Sequence, residues 1–465
     1  MTDHLDLLLT GRTLIAGEIR PAAIGVRDGV IVSITPAPTT TAAQAADVAA
    51  DRHLVLAPDE VLLPGLVDSH VHVNEPGRTE WEGFASATRA AAAGGVTTIV
   101  DMPLNSIPAT VDPTALDLKR GIATEKAVVD VGFWGGAVPD RLGALGELHS
   151  RGVFGFKCFL APSGVDEFPH LDTAQLNRAL DEVASLDALL IVHAEDPGVL
   201  ERSANGGGIR YSEFVASRPA EAELVAIDHL IDGVRRSGAR AHILHLSSAA
   251  ALPRLAAARA EGLGITVETC PHYLTITDDA IADGATAFKC CPPIRDAGNR
   301  DLLWQGLVDG VIDIVVSDHS PSTRELKLGH GGDFRLAWGG IAGLQLGLAA
   351  VWTEAARRDI RLETVLHWMS TGPADLLGLG AKGRIEVGAD ADLVVFAPGA
   401  SFTVDVTALE HRNPVSAYDG RRLTGTVRET LLRGVPVDIS AGAVPHGRLL
   451  ERPLPLPVMR RPERR

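Results

Sequence analysis

The chain has 465 residues, of which 46% are hydrophobic, and a formal net charge of −16 at pH 7. This length exceeds the usual size of a single domain, so we expect one large domain with a substantial core and a smaller second one. The acidic balance argues against nucleic acid or an anionic membrane as partners, since both require concentrated positive potential. We find no secretory leader or transmembrane pattern, and the four cysteines form no CxxC pair. The composition therefore predicts a cytoplasmic protein with reduced thiols.

Both ends of the chain show short strand patterns separated by turns. The dipeptide Asp28-Gly29 predicts a tight hairpin between two of these strands. We expect the two ends to form one small composite β-sandwich, made of residues 1–58 and 384–450, and residues 451–465 to form a Pro/Arg-rich surface tail. The main strands of the sandwich are predicted at residues 5–9, 24–26, 30–34, 384–385, 392–396 and 426–432.

The middle of the chain, residues 59–383, alternates apolar strand patterns with Ala/Leu-rich helical patterns. Such βα units indicate a parallel sheet. Eight of them predict an α/β fold, the (β/α)8 TIM barrel, whose chemistry lies at the carboxyl ends of the strands. A doubly wound sheet is the alternative, but no G-x-G-x-x-G loop follows the first strand. Glycine-rich loops are predicted at residues 206–208 and 328–332. The predicted barrel strands span residues 66–73, 96–102, 129–134, 153–160, 189–193, 241–246, 265–269 and 312–317.

The first predicted barrel strand ends with two histidines, His70 and His72. Side chains at positions i and i+2 of a strand point to the same side of the sheet, so both imidazoles can face one ion. Imidazole is the commonest neutral metal ligand. Two hydrogen-bonded core histidines are the alternative explanation, and the rest of the chain argues against it.

Three more candidate ligands occur on the following strands. Lys157 lies inside an apolar strand, where an unpaired ammonium would be costly to bury unless the lysine is neutral and modified. His193 and His245 end the fifth and sixth strands. His242 has the opposite strand parity from His245, so only one of them can face the interior, and His245 lies nearer the carboxyl end.

Asp318 follows the eighth strand, where a carboxylate beside a metal-bound water can be ligand and proton acceptor in turn. Taken alone, each candidate has a structural alternative: a core histidine, a helix-capping aspartate, or a lysine that extends its ammonium to the strand end. The joint pattern is much harder to obtain by chance. It predicts a metal centre formed by His70, His72, Lys157, His193, His245 and Asp318.

This set of residues resembles the amidohydrolase superfamily, in the cyclic amidohydrolase branch of dihydroorotases, hydantoinases and allantoinases, over nearly the whole chain. The resemblance implies that Lys157 is carbamylated by carbon dioxide (N6-carboxylysine) and bridges two divalent metal ions, normally zinc. It places the more buried ion on His70, His72 and Asp318, and the more exposed ion on His193 and His245. It also implies a homodimer or homotetramer.

Two positions separate the members of this branch. Asn74 stands where similar dihydroorotases carry an arginine that grips the substrate carboxylate, and Pro162 stands where hydantoinases carry a tyrosine that polarises the scissile carbonyl. The remaining segments together resemble the allantoinases. These segments are NEPGR at residues 74–78, WEG at 81–83, MPLN at 102–105, GFKCF at 155–159, CPHY at 270–273, KCCPPIR at 289–295, SDHSP at 317–321 and AWGGIAGLQ at 337–345.

This resemblance implies hydrolysis of the hydantoin ring of allantoin to allantoate. In that reaction a hydroxide that bridges the metals attacks the ring carbonyl, and Asp318 takes its proton and returns it to the leaving nitrogen. The alternatives are a hydantoinase or dihydropyrimidinase and, less favoured, a non-catalytic scaffold on the same fold, although such scaffolds lose ligands and this chain keeps all six. Contacts with the substrate are expected from Asn105, Cys291, Ser320 and Ala337, with Ser163 as a further candidate.

Overall fold

A computed structural model describes residues 4–37, 49–204 and 208–453. Most of the predicted tail and part of the predicted loop at residues 206–208 lie outside these ranges.

The strands are β1 (Leu5–Ile15), β2 (Glu18–Arg27), β3 (Val30–Pro36), β4 (Ala50–Val55), β5 (Val61–Pro64), β6 (Leu66–Val71), β7 (Val96–Asp101), β8 (Asp130–Phe133), β9 (Gly135–Gly136), β10 (Phe156–Phe159), β11 (Leu189–His193), β12 (Arg240–Ile243), β13 (Ile265–Thr269), β14 (Ile314–Val315), β15 (Leu393–Thr403), β16 (Arg422–Leu432) and β17 (Val435–Pro436). The α-helices are α1 (Phe84–Ala93), α2 (Pro113–Thr124), α3 (Leu145–Ser150), α4 (Thr173–Ser185), α5 (Pro197–Ser203), α6 (Tyr211–Ser217), α7 (Ala220–Ser237), α8 (Leu252–Ala260), α9 (Pro271–Thr275), α10 (Ala297–Val308), α11 (Arg324–Leu328), α12 (Gly347–Arg357), α13 (Leu362–Leu366) and α14 (Gly372–Leu376).

One eight-stranded sheet combines strands from both ends of the chain. Its order is β17-β16-β15-β5-β1-β2-β3, and β4 pairs with β1. The predicted hairpin between β2 and β3 is confirmed, because Asp28 and Gly29 have φ values of 52° and 78°, as this type of two-residue turn requires. The predicted strand at residues 384–385 is wrong. These residues lie in a loop, and Ile385 packs into the core of the sheet from that loop.

The parallel strands form two sheets whose edges meet. One sheet has the order β6-β7-β8 and the other β14-β13-β12-β11-β10-β9. Only Trp134 separates β8 from β9, so one segment pairs with β7 on one side and with β10 on the other. At the opposite edges, the His72 amide donates to the His319 carbonyl at 2.8 Å. The pairings thus run from β6 to the segment after β14 and back to β6, which brings the carboxyl ends of the strands together.

Each of the eight predicted barrel strands overlaps an observed strand, but several end earlier than predicted. Strand β12 ends at Ile243, and β14 contains only two residues. The reason is the backbone that follows, because His245 and Asp318 have φ values of 36° and 43°, outside the extended region. These two side chains therefore project from turns that follow the strands.

Helices packed beside the parallel strands hold the strand ends in place. Helix α4 begins with a capping box, in which the Asp172 side chain accepts a hydrogen bond from the Gln175 amide. Its buried residues include Leu176, Leu180 and Val183, at the spacing of one helix face. Through this face α4 packs on α7 and β11, so the end of β11 rests on a buried scaffold.

The predicted domain boundaries and the predicted cytoplasmic location stay predictions. Strand β5 pairs with β15, so residues 61–64 lie in the terminal sheet, although the boundary at residue 59 assigned them to the middle of the chain. Within the described residues, no helix is both long and apolar enough to span a membrane.

Candidate metal centre and active site

The structure brings all six predicted ligands to one side of the parallel strands. His70, Lys157 and His193 lie within β6, β10 and β11, His72 follows β6 directly, and His245 and Asp318 lie in the turns after β12 and β14. All six side chains are buried. Because they come from five strand ends, their convergence depends on the sheet pairing and not on a local motif.

His70, His72 and Asp318 form the deeper half of the cluster. Asp318 Oδ1 lies 3.1 Å from Nε2 of His70 and 3.8 Å from Nε2 of His72. One ligand atom of each of the three residues lies within 4.8 Å of the others. Burial raises the pKa of Asp318 and lowers the pKa of His72. Neutral imidazoles beside a carboxylate are a donor set suited to a divalent ion.

His193 and His245 form the other half. Nδ1 of His193 lies 3.0 Å from Nε2 of His245, and the His193 ring stacks on Phe159. Burial lowers the pKa of both histidines. His242 contacts Glu268 and not His193: its Nε2 lies 3.0 Å from Oε2 of that glutamate. Of these two histidines, His245 lies beside His193, and it lies in the turn after β12 and not within the strand.

Lys157 lies between the two halves and is 1% exposed. Within the described residues, its Nζ makes one hydrogen-bond contact, with Nε2 of His70 at 3.4 Å. Burial lowers the pKa of Lys157 to about 8. The lysine therefore sits among imidazoles without a hydrogen-bonded carboxylate, and it loses its proton more readily than an exposed lysine does.

Two buried glutamates that the sequence analysis did not select orient the histidines. Oε1 of Glu268 lies 2.5 Å from Nδ1 of His70, and Oε2 of Glu195 lies 2.7 Å from Nε2 of His193. Burial alone would raise the pKa of Glu195, but the guanidinium of Arg218 and the hydrogen bond with His193 hold it at about 2. A charged residue within apolar strand β13 was a signal for Glu268, and the two-residue spacing from His193 was one for Glu195.

The arrangement of these residues fits metal ions. Each glutamate occupies one ring nitrogen, which leaves Nε2 of His70 and Nδ1 of His193 to face the centre. Metal-binding histidines usually donate their other N–H to a carboxylate in this way. Nδ1 of His193 and Nε2 of His245 face each other. Two lone pairs at this distance would repel each other, so the contact requires either a proton between the nitrogens or a cation that both of them bind. The donor set is nitrogen-rich with one carboxylate, as zinc sites prefer.

Two other groups of possible ligands fit a metal less well. Cys270 and His272 also lie near Asp318. However, burial raises the pKa of Cys270 well above its usual value, and a neutral thiol is a poor ligand. Asp130, Asp390 and Asp392 form the third group, but Lys382 pairs with all three carboxylates.

A cavity of about 370 Å³ opens above the cluster. All four residues predicted to contact the substrate line it, namely Asn105, Cys291, Ser320 and Ala337. Ser163 lines it as well, but its hydroxyl donates to the carbonyls of Phe168 and Val165. Pro162 is part of the wall, whereas Asn74 is fully buried elsewhere and its amide nitrogen donates to the Pro321 carbonyl. These placements leave the predicted roles in substrate binding as predictions.

The wall of the cavity also contains three cationic residues that the sequence analysis did not select: Arg218, Lys289 and Arg335. Arg218 pairs with Glu195, and Arg335 pairs with Asp333. Lys289 donates to the Ala337 carbonyl at 2.5 Å and to the Arg335 carbonyl at 3.4 Å. Each cation therefore already has a partner within the protein.

A sequence profile described as the Amidohydrolase family matches residues 61–437. The chain belongs to the amidohydrolase family. The matched residues run from β5 to β17, so they include every predicted ligand of the metal centre. The resemblance that the ligand pattern indicated is therefore confirmed at the level of the family.

Similar amidohydrolases narrow the comparison further. The chain is 56% identical to a protein named allantoinase from Streptomyces avermitilis over 97% of this chain and 100% of that protein. It is 43% identical to the allantoinase of Arabidopsis thaliana over 92% of this chain and 86% of that protein. Within the amidohydrolases, the chain thus groups with the allantoinases, as its motifs predicted.

Solved structures of amidohydrolases agree with the fold. The L-hydantoinase (dihydropyrimidinase) of Arthrobacter aurescens superposes with a TM-score of 0.88 at 29% identity, covering 96% of this chain and 100% of that chain. A structure titled D-hydantoinase gives a TM-score of 0.83 at 27% identity, covering 96% and 99%. The lower identity to the hydantoinases fits a related but separate specificity.

Proposed function

We propose that this amidohydrolase is an allantoinase, which hydrolyses the hydantoin ring of allantoin to allantoate. The observation that carries the proposal is the convergence of four histidines, a lysine and an aspartate beneath a cavity lined by polar groups. The names of the similar proteins from bacteria and plants support the choice of substrate.

Two divalent ions, most suitably zinc, would bind at this centre. His70, His72 and Asp318 would hold one ion, and His193 and His245 the other. Ions bound there supply Lewis acidity to the ring carbonyl and lower the pKa of the attacking water. Glu268 and Glu195 orient the two sets of histidines through the hydrogen bonds described above.

Lys157 would bridge the two sets of ligands as a carbamate. Its neutral amine adds to carbon dioxide to form an N-carboxylate, and one proton is released to solvent. The supporting observations are the burial of Nζ and the pKa of about 8. A carbamate is an anion, and two dications would offset the cost of burying it.

Asp318 would move the proton in the reaction. Its carboxylate lies in the turn after β14 and lines the cavity, and burial raises its pKa, which makes it a stronger base than an exposed carboxylate. It accepts the proton of the attacking water and then returns it to the ring nitrogen that leaves, so its protonation state is restored at the end of each cycle.

Specificity for allantoin would come from neutral hydrogen-bonding groups in the cavity wall. Asn105, Ser320 and the backbone at Cys291 and Ala337 could satisfy the ureido group of allantoin. A substrate carboxylate would instead need a free arginine. The arginines of the wall are paired with Glu195 and Asp333, so they are poorly placed to serve it.

The finer points of architecture belong to the same proposal. The closed run of parallel pairings from β6 to the segment after β14 supports a (β/α)8 barrel, and the eight-stranded sheet from both chain ends supports a composite β-sandwich. We also expect a homodimer or homotetramer in the cytoplasm.

The proposed function is tested by incubating the purified protein with allantoin and following allantoate by NMR. Protein stripped of metal by a chelator should be inactive and should regain activity with zinc. Metal analysis should give two ions per chain. A protein that holds no stoichiometric metal and does not hydrolyse allantoin would instead be a non-catalytic scaffold.

A further inference from the structure

Two segments of backbone form one side of the cavity above the metal centre. One contains Cys291, and the other runs through Ala337 and Gly339. The segments meet at a hydrogen bond from the Gly340 amide to the Lys289 carbonyl, at 2.9 Å. Both Cys291 and Gly339 line the cavity, and within the described residues their amides donate no backbone hydrogen bond.

A buried lysine outside the cavity joins these two segments. Lys327 comes from helix α11 and is 4% exposed. Its Nζ donates to the carbonyl of Lys289 at 2.7 Å, to that of Trp338 at 3.0 Å, and to that of Gly340. Burial lowers the pKa of Lys327 to about 7, but three carbonyls accept from its Nζ, and only the protonated amine has three N–H donors. These hydrogen bonds favour the ammonium form, in which Lys327 uses all of its donors on backbone carbonyls from both segments.

Lys289 ties the segments together a second time. Its Nζ donates to the carbonyls of Ala337 and Arg335. Among the described residues, neither Lys289 nor Lys327 pairs with a carboxylate; the partners of both ammonium groups are backbone carbonyls. Hydrogen bonds from a charged donor are about twice as strong as neutral ones, and a buried ammonium is costly without them. The two lysines therefore fix the relative position of the segments more tightly than the single amide bond could.

We propose that Lys327, assisted by Lys289, is a positioning residue that holds the Cys291 and Ala337–Gly340 backbone in the geometry that binds the substrate. The inference rests on the proposed function, because it assigns this backbone to the recognition of the ureide. Lys327 does not line the cavity, so it acts only through the segments that it holds. Its loss should weaken binding of the substrate while the metal ligands stay in place.

The test compares Lys327→Met with wild type in the metal-loaded enzyme. The methionine keeps an unbranched apolar side chain, one atom shorter than lysine, and removes the donors. We expect KM for allantoin to rise about tenfold or more, the size of one lost charge-assisted hydrogen bond, with kcat changed less and two metals still bound. Lys327→Gln, which keeps two donors, should give an intermediate KM. Hydrogen–deuterium exchange should become faster at the Gly340 amide.

Lys382→Met is the matched control, since Lys382 is also buried but pairs with carboxylates away from the cavity. It should lower stability without raising KM or the exchange rate at Gly340. An unchanged KM in Lys327→Met, or an unchanged exchange rate, would overturn the proposal. If Lys327→Met does not fold, Lys289→Met decides by the same two readouts. If the wild-type protein does not hydrolyse allantoin, the proposed function is wrong. The positioning role of Lys327 can still be tested in that case, because the exchange measurement needs no turnover.

Discussion

Oε1 of Glu268 lies 2.5 Å from Nδ1 of His70, and the same oxygen accepts a hydrogen bond from the backbone amide of His245. The other oxygen lies 3.0 Å from Nε2 of His242. One buried carboxylate on β13 thus supports groups that belong to β6 and to the β12 segment. Burial alone would raise the pKa of Glu268, but His70 and His242 hold it at about 2, so it stays charged.

Replacement of Glu268 should therefore weaken the metal centre from a distance. In Glu268→Gln the side chain keeps its shape but loses the charge that orients His70. We expect a loss of roughly 10-fold to 100-fold in metal affinity or in activity, as for other residues that support metal ligands. Metal titration and kcat measure the two effects. Glu261→Gln is the control, because that glutamate pairs with Arg235 on the surface; equal losses in both variants would rule out a specific role for Glu268.

Lys157→Ala should abolish metal-dependent hydrolysis, because it removes the bridge between the two sets of ligands. Added short carboxylic acids should restore part of the activity, since they can occupy the position of the carbamate. Mass spectrometry of the wild type under native conditions should show the added carboxylate. Lys126→Ala, at a lysine paired with Glu75, should keep full activity. A fully active Lys157→Ala enzyme would show that the bridge is not needed.

Asp318→Asn should lower turnover by about a hundredfold or more, in the range expected for loss of a general base. The amide keeps the shape of the side chain but cannot accept the proton of the attacking water. The measurement is kcat at saturating allantoin, together with metal content. Asp309→Asn, at an exposed position after α10, is the control. Near-normal turnover of Asp318→Asn with metal bound would assign the proton transfer to another group.

Acid stability should depend on Asp130, which links β8 to the terminal sheet through Lys382 and Arg433. Burial alone would raise the pKa of Asp130, but Lys382 and Arg433 outweigh it and lower the pKa below its ordinary value. As the pH falls, Asp130 is therefore protonated in the unfolded chain before it is protonated in the folded one. Its contribution to the free energy of unfolding is complete above pH about 4 and is lost as the pH falls through the folded pKa.

Asp130→Asn should thus cost roughly 3 kcal/mol or more in the free energy of unfolding at pH 7. The difference from wild type should shrink at pH values below about 4. Urea unfolding across this range measures it. A difference that stays constant down to pH 3 would mean that the charge of Asp130 is not what stabilises the fold.

Much of the fold follows from pattern in the sequence, because most of the parallel strands are rich in apolar residues. The positions at which the strands end are harder to predict. Turns at His245 and Asp318 end β12 and β14 early. Histidine and aspartate adopt positive φ more often than most residues, but this preference alone does not show which of them ends a strand. The terminal sheet shows the same limit. Strand β5 reads as part of the same apolar run as β6, yet it pairs with β15, more than 300 residues later.

The candidate ligands could be selected because histidine, lysine and aspartate stand out at apolar strand ends. Glu268 carried the same signal within β13 and was overlooked. The role inferred for Lys327 was not predictable. Its partners are carbonyls in two loops, at Lys289 and at Trp338 and Gly340, and only the folded chain shows which carbonyls meet an ammonium.

The specificity of the enzyme tests the central claim most directly. The measurement is kcat/KM of the zinc-loaded protein for allantoin, dihydroorotate, dihydrouracil and 5-substituted hydantoins. Asn74 offers no charge to a carboxylate, and Pro162 lacks the hydroxyl of a tyrosine. The kcat/KM for allantoin should therefore exceed that for each of the other substrates by about a hundredfold or more, because the analogues leave hydrogen-bonding groups of the cavity unpaired. A clear preference for a 5-alkylhydantoin or a dihydropyrimidine would contradict the assignment and place the protein with the hydantoinases.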